Sequence, residues 1–202
     1  MEAYMKYQAP YTPDFSARDA NPGVNPLFPG RWSPRSFTGE PIPAGDLAVI
    51  FDAARWAPSA YNEQPWRILT STPETFGTFL NLLVEPNQKW ARNASLIGFI
   101  AARKKFTHNG GSNDWAVFDC GAAWMSIALQ AHNLGLYAHC MAGIKKDEIY
   151  TAFGIPEEEF EVVAGFALGM LAPREKLEKP YVDWEVPSSR KALDEIWKQG
   201  AW

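Results

Sequence analysis

A chain of 202 residues with 47% hydrophobic and 21% charged residues suits one globular domain able to bury a sizeable core. The net charge of −4 and pI of about 5.4 exclude a basic field for nucleic acid or anionic lipid. Cys120 and Cys140 form no CxxC, His108, His132 and His139 share no metal-ligand spacing, and no apolar run approaches the roughly 20 residues of a membrane span. With no apolar leader after Met1, the expectation is a cytoplasmic protein without metal, nucleic-acid or membrane partners.

Eight of the 16 prolines fall in the first 43 residues. Residues 1–30 are therefore expected to run as an extended arm ahead of a single domain over 31–202. A partner subunit is one surface for that arm and for the proline-punctuated stretch 172–187; frayed ends are the alternative. Leu47, Ile50, Phe51 and Ala54 recur at helical spacing and predict a helix over 44–57, stopped by Pro58. A short strand over 67–71 follows. Thr72 and Pro73 predict the start of a second helix with Phe76, Phe79, Leu80 and Leu83 on one stripe, ended by Pro86.

Strands are expected over 96–102, 136–141 and 161–170, and helices over 114–133, closed by Gly135, and 146–153, closed by Gly154. The helix over 114–133 carries Trp115, Val117, Phe118, Trp124, Met125, Ile127 and Leu129 on nearly every side, which predicts burial all round, in a core or between subunits. Ser188 or Ser189 is expected to cap a final helix with Leu193, Ile196 and Trp197 facing inward. Alternating helices and strands ordinarily suggest a parallel sheet, but no GxGxxG follows any strand.

Two places carry chemistry. Between Pro58 and Pro65, the hydroxyl of Ser59 and the amides of Asn62 and Gln64 can read a heterocycle with mixed donor and acceptor edges, or merely cap the neighbouring elements. Near the C-terminus, Arg190 and Lys191 fall in the first turn of the expected final helix, where the dipole disfavours cations unless an anion joins them.

The segment Ala57-Pro58-Ser59-Ala60-Tyr61-Asn62-Glu63-Gln64-Pro65-Trp66 resembles the flavin-binding loop of the nitroreductase family, A-P-S-x-x-N-x-Q-P-W. Arg31-Trp32-Ser33-Pro34-Arg35-Ser36-Phe37 is similar to that family's opening R-x-S-x-R-x-F. Asp119-Cys120-Gly121-Ala122-Ala123, running to Leu134-Gly135-Leu136, is similar to its D-x-G-x-A helix and G-L exit. The resemblance covers roughly residues 31–200.

It implies an α+β fold, a central mostly antiparallel sheet flanked by helices, made as an interlocked homodimer with FMN across the interface. Arg31, Trp32 and Ser33 of the opening motif are implied at the phosphate and ribityl chain, and Arg35 at the pyrimidine side of the ring. Asn62 and Gln64 are implied at the ribityl and pyrimidine edges, with Pro58 and Ser59 shaping the floor from the other subunit. Asn87 would approach the ring, and the loop Met141-Ala142-Gly143 would present an N–H to the flavin N5. Arg190 would bind the phosphate, although Ser188 stands where the family usually has Lys.

Trp90 suits either the substrate face or the core, and His139 either a donor to substrate or flavin or a structural place. No catalytic side chain is implied, because hydride chemistry belongs to the flavin. The expected activity is reduction of nitroaromatics, quinones or related acceptors by NAD(P)H in a ping-pong mechanism. Flavin, enone or dehalogenating reduction, a non-catalytic FMN store and a flavin-free structural dimer are the alternatives. The short connection from 103 to 113 implies little lid and broad specificity.

Overall fold

The structure, a computed structural model, describes residues 5–201. Four strands form one sheet: β1 (Trp66–Thr70), β2 (Leu96–Arg103), β3 (Tyr137–Met141) and β4 (Phe160–Gly169). Their spatial order is β1-β2-β4-β3 and every pair is antiparallel, which matches the α+β expectation. β2 is apolar and buried on both faces, as a central strand must be. Its alternation divides the core: Ile97 and Phe99 enter one cluster with Trp90, Met141 and Val162, while Leu96, Ile100 and Ala102 enter another with Ile50, Ile127 and Phe166.

Among the described residues there are seven α-helices: α1 (Leu27–Gly30), α2 (Ala44–Arg55), α3 (Phe76–Asn81), α4 (Glu85–Ala91), α5 (Ala116–Asn133), α6 (Lys146–Phe153) and α7 (Leu193–Ile196). α5 turns Ala116, Cys120, Ala123, Ile127 and Ala131 toward the sheet, at spacings of three and four. These mostly small side chains let the helix axis approach the strands. Its other face is open within this chain: Trp115 is 60% and Phe118 72% exposed. α5 is thus not buried all round by its own subunit.

Three local expectations are corrected. Thr72 does not cap a helix; its hydroxyl accepts the Thr75 N–H at 3.3 Å and closes a turn before α3. Pro86 does not end that helix but sits in the first turn of α4, where its missing N–H costs nothing. The final helix is only four residues long, and Leu193, Ile196 and Trp197 are exposed rather than inward.

The N-terminal arm, from residue 5 on, lies against its own chain. The Tyr7 N–H donates to Leu134 O at 2.9 Å, Lys6 pairs with Asp46 at 2.7 Å, and Ala9, Tyr11 and Phe15 pack on the core. Gly135, at φ 86°, makes this possible, because a Cβ there would collide with the Tyr7 carbonyl.

Candidate functional site

The loop after α2 is held in an unusual conformation. Tyr61, Asn62 and Gln64 have φ of 53°, 55° and 50°, the left-handed region that non-glycine residues rarely enter. What holds them there is a set of side-chain acceptors. Asp119, on the first turn of α5 and 3% exposed, accepts the Ala60 N–H at 3.1 Å. Ser59 Oγ accepts the Gln64 N–H at 3.0 Å, and Gln64 Nε2 donates to Asn62 O at 2.9 Å. Glu63 accepts the Thr107 N–H at 3.0 Å and its hydroxyl at 3.1 Å, tying the 103–113 connection to this loop. The Tyr61 ring meets Phe106 edge-on at 5.5 Å. Pro58, Asn62 and Gln64 stay exposed, and the Asn62 amide has no partner among the described residues.

The opening motif is fixed from the C-terminal side. Glu185, 3% exposed, accepts the Arg35 N–H at 2.8 and 2.9 Å and the Ser36 N–H at 2.8 Å. Burial pushes the Glu185 carboxyl up, against the pull of those donors and of the Arg35 charge. The Arg35 guanidinium lies 5.9 Å over the Trp184 ring. His139 Nδ1 sits 2.9 Å from Pro34 O, and its ring lies 4.6 Å from that of Trp90. Burial holds its pKa down at about 4, so it is neutral and structural at neutral pH. Trp32 belongs to the core, 3% exposed and edge-on to Tyr137 at 6.3 Å.

Arg31 donates to Ser33 Oγ at 3.2 Å and converges with Arg190 and with Arg18 of the N-terminal arm. Burial, then the neighbouring guanidiniums, hold Arg18 and Arg31 below the usual arginine range. None of the three makes an ion pair among the described residues. Arg190 is not in the first turn of a helix, which corrects the dipole argument. Its guanidinium donates to Ser188 O, Ser188 Oγ and Ser189 O at 2.9–3.2 Å and holds a turn there, while α7 starts three residues later.

Asn87 Nδ2 donates to Gly143 O at 3.0 Å and Asn87 Oδ1 accepts from Trp90 Nε1 at 3.3 Å, so this amide braces the loop after β3. A Cβ on Gly143 would come within 2.6 Å of Asn87 Nδ2 and 2.7 Å of Val84 Cγ2, so α4 itself requires the glycine. Ala142 is exposed, Met141 is buried in the core, and the Gly143 N–H has no partner among the described residues.

Three groups of expected site residues therefore form: Arg31, Ser33, Arg35 and Arg190; Pro58 to Gln64; and Asn87 with Met141 to Gly143. No hydrogen bond or ion pair among the described residues joins the second group to the first. Asp119, Glu185 and Arg18 carry none of the expected roles yet hold these groups in place. Only Asp119 had a signal, as the single acid in the first turn of an otherwise apolar helix. Among the described residues no cluster of His, Cys, Asp or Glu could hold a metal ion, and no helix is long and apolar enough to cross a membrane.

A crystal structure of an oxidoreductase containing FMN is 44% identical, covers 92% of this chain and 96% of its own, and superposes with a TM-score of 0.87. Two Streptomyces coelicolor proteins, both with provisional names as NADH dehydrogenase/NAD(P)H nitroreductase, are 28% and 33% identical over 81 residues, 40% of this chain. The aligned stretch spans 41% and 40% of their lengths. The nitroreductase family model matches residues 29–76 and 81–170. With that match over the opening motif, the strained loop and the whole sheet, the chain belongs to the nitroreductase family and is an oxidoreductase.

Proposed function

We propose that this protein is an FMN-dependent enzyme that uses NAD(P)H to reduce nitroaromatics, quinones or related acceptors by a ping-pong mechanism. The observation that carries the proposal is the convergence of Arg31 and Arg190 with neither in an ion pair among the described residues. Two uncompensated guanidiniums are a poor arrangement for an empty surface and a good one for a phosphate monoester. The rest of the donor set fits the same cofactor. The exposed amides of Asn62 and Gln64 match the polar edges of an isoalloxazine and its ribityl chain. The unpartnered Gly143 N–H matches an acceptor such as N5. Arg35, near the ring, would stabilise negative charge on its pyrimidine side.

Bound FMN supplies the hydride exchange between NAD(P)H and acceptor. The chain's own part is to bind and orient. Glu185 fixes the backbone of Arg35, Asp119 fixes the loop that carries Asn62 and Gln64, and Asn87 fixes the Gly143 loop. One open face accepts one partner at a time, so donor leaves before acceptor enters. The 44% identity to an FMN-containing oxidoreductase supports the cofactor, and the names of the Streptomyces proteins support NAD(P)H. An open flavin face near N5 separates this enzyme from a non-catalytic store, which needs none.

The proposed assembly is a homodimer, with residues 1–30 as an arm and 31–202 as one domain. Trp56 at the end of α2, Tyr61 in the loop that follows, and Trp115 and Phe118 at the start of α5 are exposed, and a groove of about 850 Å³ lies between α2 and α5. A second copy would cover this surface and bring its 58–64 loop to the Arg31 group. Two free cysteines suit a cytoplasmic location.

The purified protein is expected to be yellow, to release FMN on denaturation and to be bleached by NADH or NADPH. Parallel double-reciprocal plots are expected with a quinone acceptor. A colourless preparation that fails to bind added FMN refutes the proposal, and intersecting plots refute the ping-pong order.

A further inference from the structure

Arg18 lies in a segment that the family match does not reach, yet its guanidinium bonds three carbonyls on two distant segments of the chain. Nη1 donates to Arg31 O at 2.8 Å and to Pro29 O, and Nε donates to Ser188 O at 3.1 Å. A turn closed by the Arg18 N–H on Phe15 O presents the side chain, which stacks 5.2 Å over the Phe15 ring. One planar fork thus links the N-terminal arm, the backbone of Arg31 and the backbone just before Arg190. Because its partners are carbonyls, its charge is not neutralised.

Arg18 and Arg190 line one cavity of about 230 Å³ together with Asp19, Val24, Phe28 and Pro29. Asp19 makes no ion pair with either arginine among the described residues. Three like charges gathered with no carboxylate in ion-pair contact persist because the carbonyl bonds fix their backbones, and an anion relieves their repulsion.

We propose that Arg18 is a positioning residue for the FMN phosphate, its fork setting the Arg31 and Arg190 backbones so that both guanidiniums reach one phosphate. The inference rests on the FMN reading above. Charge alone does not suffice for this role, since an ammonium lacks the planar fork that reaches carbonyls on two segments.

The test is titration of the full-length, flavin-stripped protein with FMN and with riboflavin, which lacks the phosphate, following flavin fluorescence. Arg18→Met is expected to weaken FMN binding about 10- to 100-fold while changing riboflavin binding less than about threefold. Arg18→Lys is expected to recover little of the loss. In a cycle with Arg190→Ala, the double variant is expected to lose much less FMN affinity than the two single losses together, because Arg18 acts through Arg190. Unchanged discrimination in Arg18→Met, full rescue by lysine or strictly additive losses would overturn the proposal. Equal losses for both flavins would also overturn it, since they report general loosening of the fold. Wild-type protein that binds FMN no better than riboflavin would instead sink the phosphate reading itself, before Arg18 is considered.

Discussion

Replacing Asp119 by alanine should open the strained loop while leaving the sheet intact. The carboxylate is 3% exposed and accepts the Ala60 N–H at 3.1 Å. A hydrogen bond to a charged group contributes about 1.5–3 kcal/mol. Against it stands the backbone cost of Tyr61, Asn62 and Gln64 at φ of 53°, 55° and 50°. Left-handed geometry costs on the order of 1 kcal/mol for each, less for Asn, so roughly 2–4 kcal/mol is stored in the loop. The other anchors are Ser59 Oγ, whose bond contributes about 0.5–1.5 kcal/mol net, and the Glu63 carboxylate, whose side chain is 3% exposed and which ties the loop to Thr107.

Without Asp119 the loop loses one of its two buried carboxylate anchors, and the loop-opening equilibrium should rise about 10- to 150-fold. Hydrogen exchange at Asn62, Glu63 and Gln64 measures this directly, because those three amides bond within the loop. Amides of β2 should keep their protection, since loop opening exposes no strand. Asp119→Asn keeps an acceptor without the charge and should show a smaller rise, about tenfold or less. Unchanged exchange in the loop would refute the reasoning. An equal loss of protection in β2 would also refute it, by showing that Asp119 supports the whole domain.

Arg190→Ala should weaken FMN binding by about 1.5–3 kcal/mol, one to two decades, with riboflavin binding unchanged and the apo melting temperature the same or slightly higher, as repulsion with Arg18 and Arg31 is relieved. A lower apo melting temperature with unchanged FMN affinity would remove Arg190 from the site. His139, held at about 4 by burial against an ordinary 6.5, binds its proton more readily in the unfolded chain. Stability should therefore fall as pH drops from about 6.5 to about 4, by up to about 3 kcal/mol, and His139→Gln should flatten that part of the urea-denaturation profile. A profile that the substitution leaves unaltered would contradict a neutral buried His139. Gly135→Ala combines a left-handed backbone with a clash against the Tyr7 carbonyl and should cost about 2–4 kcal/mol. A melting temperature within about 2 °C of the parent would show that the arm does not need this contact.

Elements whose pattern repeats locally were legible in the residues. The spacing of Leu47, Ile50, Phe51 and Ala54 located α2, the run over 96–102 located β2, and Gly154, now seen at φ 60°, marked the end of α6. Proline marked boundaries without saying which side they bound, so Pro86 was expected to end one helix and instead begins another. Apolar spacing in Leu193, Ile196 and Trp197 showed that this face needs cover, but not that its own subunit leaves it open.

By itself the sequence determined which loops carry polar groups between prolines, the four strands and the helices α2, α5 and α6, and, through three motifs in order, the family. Only the tertiary structure decided what holds those loops. Asp119 reaches Ala60 across 59 positions, Glu185 reaches Arg35 across 150, and Arg18 reaches Ser188 across 170. Hydrogen bonding between such distant residues leaves no periodic trace, because it depends on where the packed sheet and its two cores bring the chain ends. The same packing decided that Trp32, central to the opening motif, serves the core, while Arg18, outside every motif, joins the arginine cluster.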